Sequence, residues 1–190
     1  MIKIMESGPA FAEVVAAARL GEEWAVTLIY RDLHPRLARY LRAQEPRHAE
    51  DLEAEVWLAF AERVHAFEGD EVGLNAWAFS IARRRVADHR RTAARRKTDV
   101  VAVEELDRAS DGPGPEAIVL DGIGGDEAAA FVARILPSDQ AEVVLLRVLA
   151  GLDVSTVAEI LGKKPGTVRV LSHRAMRRLE QALTGKRVTQ

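Results

Sequence analysis

Residues 154–179 read VSTVAEILGKKPGTVRVLSHRAMRRL: a short apolar-periodic run, a four-residue turn and a longer amphipathic run, the outline of a helix-turn-helix. Ala158 is small where two helices would cross, Gly162 suits the positive φ of the turn, and Pro165 suits the first position of the second helix. Val157, Ile160, Leu161, Val168 and Leu171 fill the junction. At ~100° per residue, Val168, Leu171, Ala175 and Leu179 form the inward stripe of the second helix, while Arg169, Val170, His173 and Arg177 point the other way. Arg174 and Arg178 sit at its sides. A cationic outer face suits the DNA major groove, where Arg reads guanine edges and neighbouring basic side chains neutralise phosphates. An ordinary helical hairpin with a solvated basic face would share the wheel but not the turn chemistry. His173 has no companion at metal-ligand spacing.

Outward from this motif, charge is segregated along the chain. From Arg83 to Lys97 there are eight basic residues against Asp88, from Thr98 to Glu127 nine acids against Arg108, and from Lys163 to Arg187 eight basic residues against Glu180. A formal charge of −2 therefore hides two cationic patches. The acidic middle also holds Gly112, Pro113, Gly114, Pro115, Gly122, Gly124 and Gly125, and it reads as a linker. The domains expected are 1–97, a linker over 98–125, and 126–190.

Apolar residues recur at three and four in every other segment, so the expected fold is all-α: two small helical domains joined by a flexible acidic linker. The helices expected are 10–19, 22–43 with an interruption near Pro35, 48–66, 74–96, 126–136, 138–150, 154–161 and 165–183. The chain is 48% hydrophobic and 29% charged, the balance of a globular protein. It carries no long apolar run and no leader pattern at Met1–Glu6, which points to a cytoplasmic protein with no membrane partner. Zero Cys excludes disulfides, thiolate metal sites and a thiol nucleophile.

In the N-terminal half, AEDLEAEVWLAF (49–60) opens a helix whose inward stripe is Leu52, Val56, Phe60, Val64 and Phe67. Asp51, Glu55 and Glu62 share the opposite face with Leu58 between them. Acids around an apolar residue suit a basic protein surface and would repel nucleic acid, although a solvated helix face has the same pattern. The next helix, LNAWAFSIARRRVADHRR (74–91), would bury Leu74, Ala78, Ile81, Ala82 and Val86. Trp77 falls instead on the line of Arg84 and Arg91, a combination suited to stacking on single-stranded bases; a place at the core edge is the competing reading.

Taken in order, these segments resemble an extracytoplasmic-function (ECF) sigma factor of bacterial RNA polymerase over nearly the whole chain. AEDLEAEVWLAF is similar to the family's core-polymerase-binding helix, LNAWAFSIARRRVADHRR to its minus-ten reading and melting helix, and the helix-turn-helix to its minus-thirty-five reader. The resemblance implies that Asp51, Leu52, Glu55, Leu58 and Glu62 contact the clamp helices of core polymerase. It places Asn75, Trp77, Arg84, Arg90 and Arg91 at the minus-ten DNA, duplex and opened strand. Lys164, Thr167, Arg169, His173, Arg174 and Arg177 would lie at the minus-thirty-five element, and Val144, Leu145 and Val148 would rest on the polymerase flap. It also implies an anti-sigma partner, no cofactor, no metal and no catalysis by the chain itself.

Two departures stand out. Glu53-Ala54 replaces the family's usual Thr-Gln, and Glu53 falls on the apolar face, where an acid needs a partner; Arg85 is the expected one. Lys163-Lys164 replaces an apolar residue and Ser, so the recognition helix lacks its usual N-cap and Lys164 is expected on a phosphate. A stand-alone helix-turn-helix regulator, with the N-terminal half for dimerisation or sensing, is the alternative function. A nucleic-acid-processing enzyme would need acids to join Asp51 and Glu55 at a metal, and none is suitably placed.

Overall fold

The computed structural model describes residues 10–99 and 125–187, all but the ends of the expected linker falling outside them. Eight α-helices and a short 3₁₀ turn make up the regular structure of these residues, and no strand occurs among them. They are α1 Phe11–Arg19, α2 Glu23–Gln44, α3 Ala49–Arg63, α4 Glu71–Asp99, α5 Gly125–Ile135, α6 Ser138–Leu149, α7 Val154–Leu161 and α8 Pro165–Arg187. Residues Val64–Ala66, expected to continue α3, form the 3₁₀ turn. No helix among the described residues is long and apolar enough to cross a membrane.

Helix α2 is the beam of the fold. It runs unbroken through Pro35, where the sequence suggested an interruption. A proline inside a helix costs about 3 kcal/mol through the lost N–H and the clash with the preceding turn. Ile29, Leu33, Leu37 and Leu41, all buried on one face of α2, each contribute about 1.5–3 kcal/mol, so two of them already offset the proline. Helices α1, α3 and α4 pack on α2, and Arg19 Nε donates to the His65 carbonyl at 3.0 Å, tying α1 to the 3₁₀ turn. The stripes expected on α3 and α4 are all buried, from Leu52 to Phe67 and from Leu74 to Val86. Helix α4 starts at Glu71, three residues before the expected Leu74, because Asp70 caps it: its Oδ1 accepts from Gly73 N at 2.8 Å.

The C-terminal helices pack against the same beam. Helices α5 and α6 lie along α2, α7 reaches α4, and one apolar core runs through both halves of the chain. At this seam the Asp126 carboxylate accepts from Arg39 Nε at 2.8 Å and Arg42 Nη2 at 2.9 Å, while Glu142 accepts from Arg83 Nε at 3.1 Å. Burial alone would raise the Asp126 carboxyl, but the Arg39 hydrogen bond and the Arg42 charge outweigh it and hold it below the ordinary 3.8. Tyr40 is fully buried edge-on to Phe79, ring centroids 5.6 Å apart. Burial, reinforced by the neighbouring Glu142 carboxylate, pushes its hydroxyl well above the usual phenol range. A smaller cluster of Leu136, Ala141, Val144 and Ala175 fastens α5 and α6 to α8.

The Asp126 pairs are partly exposed, so together they are worth about 1 kcal/mol, far less than the apolar seam around them. Asp126→Arg should lower the melting temperature by a few degrees in low salt, and the difference should shrink in ~1 M salt as screening removes the repulsion from Arg39 and Arg42. An unchanged melting temperature in low salt would show that the acid contributes nothing at the seam.

Candidate polymerase and nucleic-acid interfaces

On α3, Asp51, Glu55, Leu58 and Glu62 recur at four, three and four and all face solvent. Leu58 is 63% exposed, a large apolar side chain set among three acids. Leu52, expected on this face, is instead in the core at 2% exposure, where it belongs to the inward stripe of α3. Glu55 lies 3.8 Å from Arg85, so the guanidinium expected to partner Glu53 leans toward the neighbouring acid. Glu53 contacts His34 Nδ1 on α2. A linear sequence pattern does not show that α2 presents a histidine to the apolar face of α3.

Sequence reasoning also missed a row of rings. His34 stacks on Tyr30 at 4.7 Å, Tyr30 meets Trp57 at 4.7 Å, and Trp57 meets Phe60 at 5.5 Å. Phe60 then meets Trp77 at 4.8 Å, and Trp77 stacks on Phe67 at 5.3 Å. Such pairs contribute about 0.5–1.5 kcal/mol each beyond burial, and this row joins α2, α3 and α4 behind the acidic face. Trp77 is therefore a half-buried core-edge residue whose ring packs on Phe60 and Phe67.

The remaining α4 positions divide by environment. Asn75 is 5% exposed, and its Oδ1 accepts from Arg36 Nη2 at 3.2 Å, with Asp32 paired to the same guanidinium. Its carboxamide is turned into the fold. Arg90 reaches the α2–α3 connection, where Nε donates to Glu45 at 2.5 Å and Nη2 to the Gln44 carbonyl at 2.8 Å. Arg91 pairs with Asp88, and Arg84 is exposed.

In the C-terminal unit Gly162 adopts φ +62°, the left-handed conformation the turn needs, and Lys163 N donates to the Ala158 carbonyl at 2.9 Å. Asp153 caps α7, its Oδ1 accepting from Thr156 N at 2.7 Å; that backbone hydrogen bond holds the carboxyl below 3.8. The cap is intact at neutral pH and is lost only as pH falls through the lowered value. Lys164 precedes α8, where its carbonyl accepts from Thr167 N at 2.9 Å and its ammonium has no lone pair to cap with. Val168, Leu171 and Ala175 are buried, and Lys164, Thr167, Arg169, His173, Arg174 and Arg177 are all exposed. On α6, Val144 and Leu145 are buried in the unit itself, which leaves only Val148, 71% exposed, of the three expected on the polymerase flap.

No group of three or more His, Asp or Glu able to hold a metal occurs among the described residues. The environments of Asn75 and Leu58 separate fold from surface. Asn75→Ala leaves the half-buried Arg36 short of a partner and should cost about 1–3 kcal/mol in urea unfolding. Leu58→Ala should change stability by less than about 0.5 kcal/mol. Equal costs would contradict the assignment.

Residues 29–96 match the family Sigma-70 region 2, and residues 133–179 match Sigma-70, region 4. The chain is 34% identical over 168 residues to the ECF RNA polymerase sigma factor ShbA of Streptomyces griseus, covering 84% of this chain and 87% of ShbA. It is 31% identical over 177 residues to SigD of Mycobacterium tuberculosis, covering 90% and 82% of the two chains. BldN of Streptomyces coelicolor is 34% identical over 173 residues, 90% of this chain, which spans 65% of BldN. Among solved structures, the sigma factor RpoE in complex with the anti-sigma factor NepR from Bartonella quintana superposes with a TM-score of 0.64 at 22% identity, covering 84% and 96% of the two chains. CnrH in complex with the cytosolic domain of CnrY gives 0.62 at 18% identity, covering 93% and 99%. With two sigma family segments in order and 34% identity to ShbA over 87% of that relative, this chain belongs to the ECF sigma factors of bacterial RNA polymerase.

Proposed function

We propose that the chain docks on core RNA polymerase through the exposed face of α3 and directs it to promoters, reading the minus-ten element with α4 and the minus-thirty-five element with α8. The observation that carries this reading is the separation of two opposed surfaces: Leu58 ringed by Asp51, Glu55 and Glu62 on α3, and the cationic outer face of α8. Acids beside nucleic acid would weaken binding, whereas acids around an apolar anchor suit a basic protein groove. Arg84 and Arg91 supply phosphate contacts along α4, Asn75 and Trp77 hold that helix from behind, and Arg90 shapes the adjoining loop. The phosphoryl chemistry belongs to the polymerase, so the chain acts as an initiation factor inside the cell. An anti-sigma factor is its expected regulator, in keeping with the NepR complex of a structural relative.

This reading requires the two halves to part. Elements centred 25 base pairs apart lie about 85 Å along the duplex at 3.4 Å per pair. In the structure α7 touches α4, so α8 cannot stand that far from it. The 25 residues between Asp99 and Gly125 reach about 80–90 Å when fully extended, enough for the span.

The purified chain should co-elute with bacterial core polymerase in size-exclusion chromatography, and an Asp51→Arg, Glu55→Arg variant should bind at least tenfold more weakly while keeping its helical spectrum. Equal binding by the variant would move the docking face elsewhere. Failure of the folded wild-type chain to bind, with duplex binding retained, would favour a stand-alone regulator.

A further inference from the structure

Given the proposed reading of DNA by α8, we infer that Val170 is a specificity-determining residue that contacts the C5-methyl group of a thymine in the upstream promoter element. Helix α8 buries Val168, Leu171 and Ala175, and at ~100° per residue the line facing directly away from them is Gly166, Val170, His173 and Arg177. Arg169 and Arg174 flank that line. Val170 thus stands at the centre of a cationic surface, 48% exposed.

Two features of the neighbourhood bear on what Val170 meets. Gly166, one turn earlier on the same line, has no side chain, and a Cβ built there would find nothing within 4 Å. The outward line of α8 is therefore bare at its first position, so the first side chain on that line to reach the floor of a groove is Val170. Helix-turn-helix proteins place the N-terminal residues of the second helix against base edges. The isopropyl group neither donates nor accepts a hydrogen bond, so it offers nothing to the polar edges of guanine, adenine or cytosine. Thymine alone presents an apolar group, its methyl, in the major groove.

The fold supplies no competing reason for a valine here. A β-branched residue on an exposed helix face is a weaker helix former than alanine, and half of this side chain is left in water. Arg169 and Arg174 on either side would hold phosphates or guanine edges and so fix the register in which the methyl contact is made.

The test uses the full chain assembled with core polymerase and a library of promoter duplexes randomised across the upstream element, made once with thymine and once with deoxyuridine, which lacks only the methyl. Wild-type holoenzyme should enrich thymine at one position about fourfold over deoxyuridine, the worth of one buried methyl. Val170→Ala should lose that discrimination while retaining its preferences at other positions. Methyl-dependent enrichment unchanged in Val170→Ala, or none at any position in wild type, would overturn the inference and leave promoter reading intact. No sequence enrichment of any kind by wild-type holoenzyme would overturn the proposed function, and this inference with it.

Discussion

Everything in this molecule is hung on α2, a helix that must be apolar on more than one side. Ile29, Leu33, Leu37 and Leu41 are buried along it at a spacing of four and Tyr40 packs on Phe79 of α4, while the guanidinium groups of Arg39 and Arg42 hold Asp126 at the start of the C-terminal helices. Because one helix serves both halves, its burial outweighs a proline, excludes water from the Tyr40 ring and leaves the outer faces of α3 and α8 for other partners.

That arrangement accounts for the segregation of charge. A surface helix that turns its apolar stripe inward, α3 to α2 and α4, and α8 to α6 and α7, must expose the remainder, and α3 exposes acids around Leu58 whereas α8 exposes arginines around Val170. Cations of α2 and α4 that could have widened the nucleic-acid surface are partly committed inside the protein: Arg36 to Asp32 and Asn75, Arg83 to Glu142, Arg90 to Glu45 and Gln44. The basic block counted along α4 is thus larger than the basic surface that DNA can meet.

What the sequence made legible is what a period of 3.6 encodes. The inward stripes of α3, α4 and α8, the glycine turn at Gly162 and the helix order all follow from spacing and turn chemistry. The same wheel left Leu52 inward even while the family resemblance counted it among the docking residues, and the core takes it. What could not be read are the relations between helices. Glu53 finds His34 and not Arg85, Trp77 closes on Phe60 and Phe67, and Asn75 turns in to Arg36, each because a partner arrives from a distant part of the chain. Pro35 misled for the related reason that a local cost was weighed without the packing that offsets it.

The central claim is that one package, closed along α2, opens to read two DNA elements once polymerase holds it. With no native cysteine, Thr92→Cys and Gln181→Cys provide exposed labelling sites on α4 and α8 for energy transfer. In the free chain the labels should lie within about 50 Å, the size of a folded chain of this length. Adding core polymerase and a promoter duplex should take them toward the ~85 Å that separates the two elements, with transfer nearly lost. A complex that starts transcription with the labels still at their free separation would contradict the account.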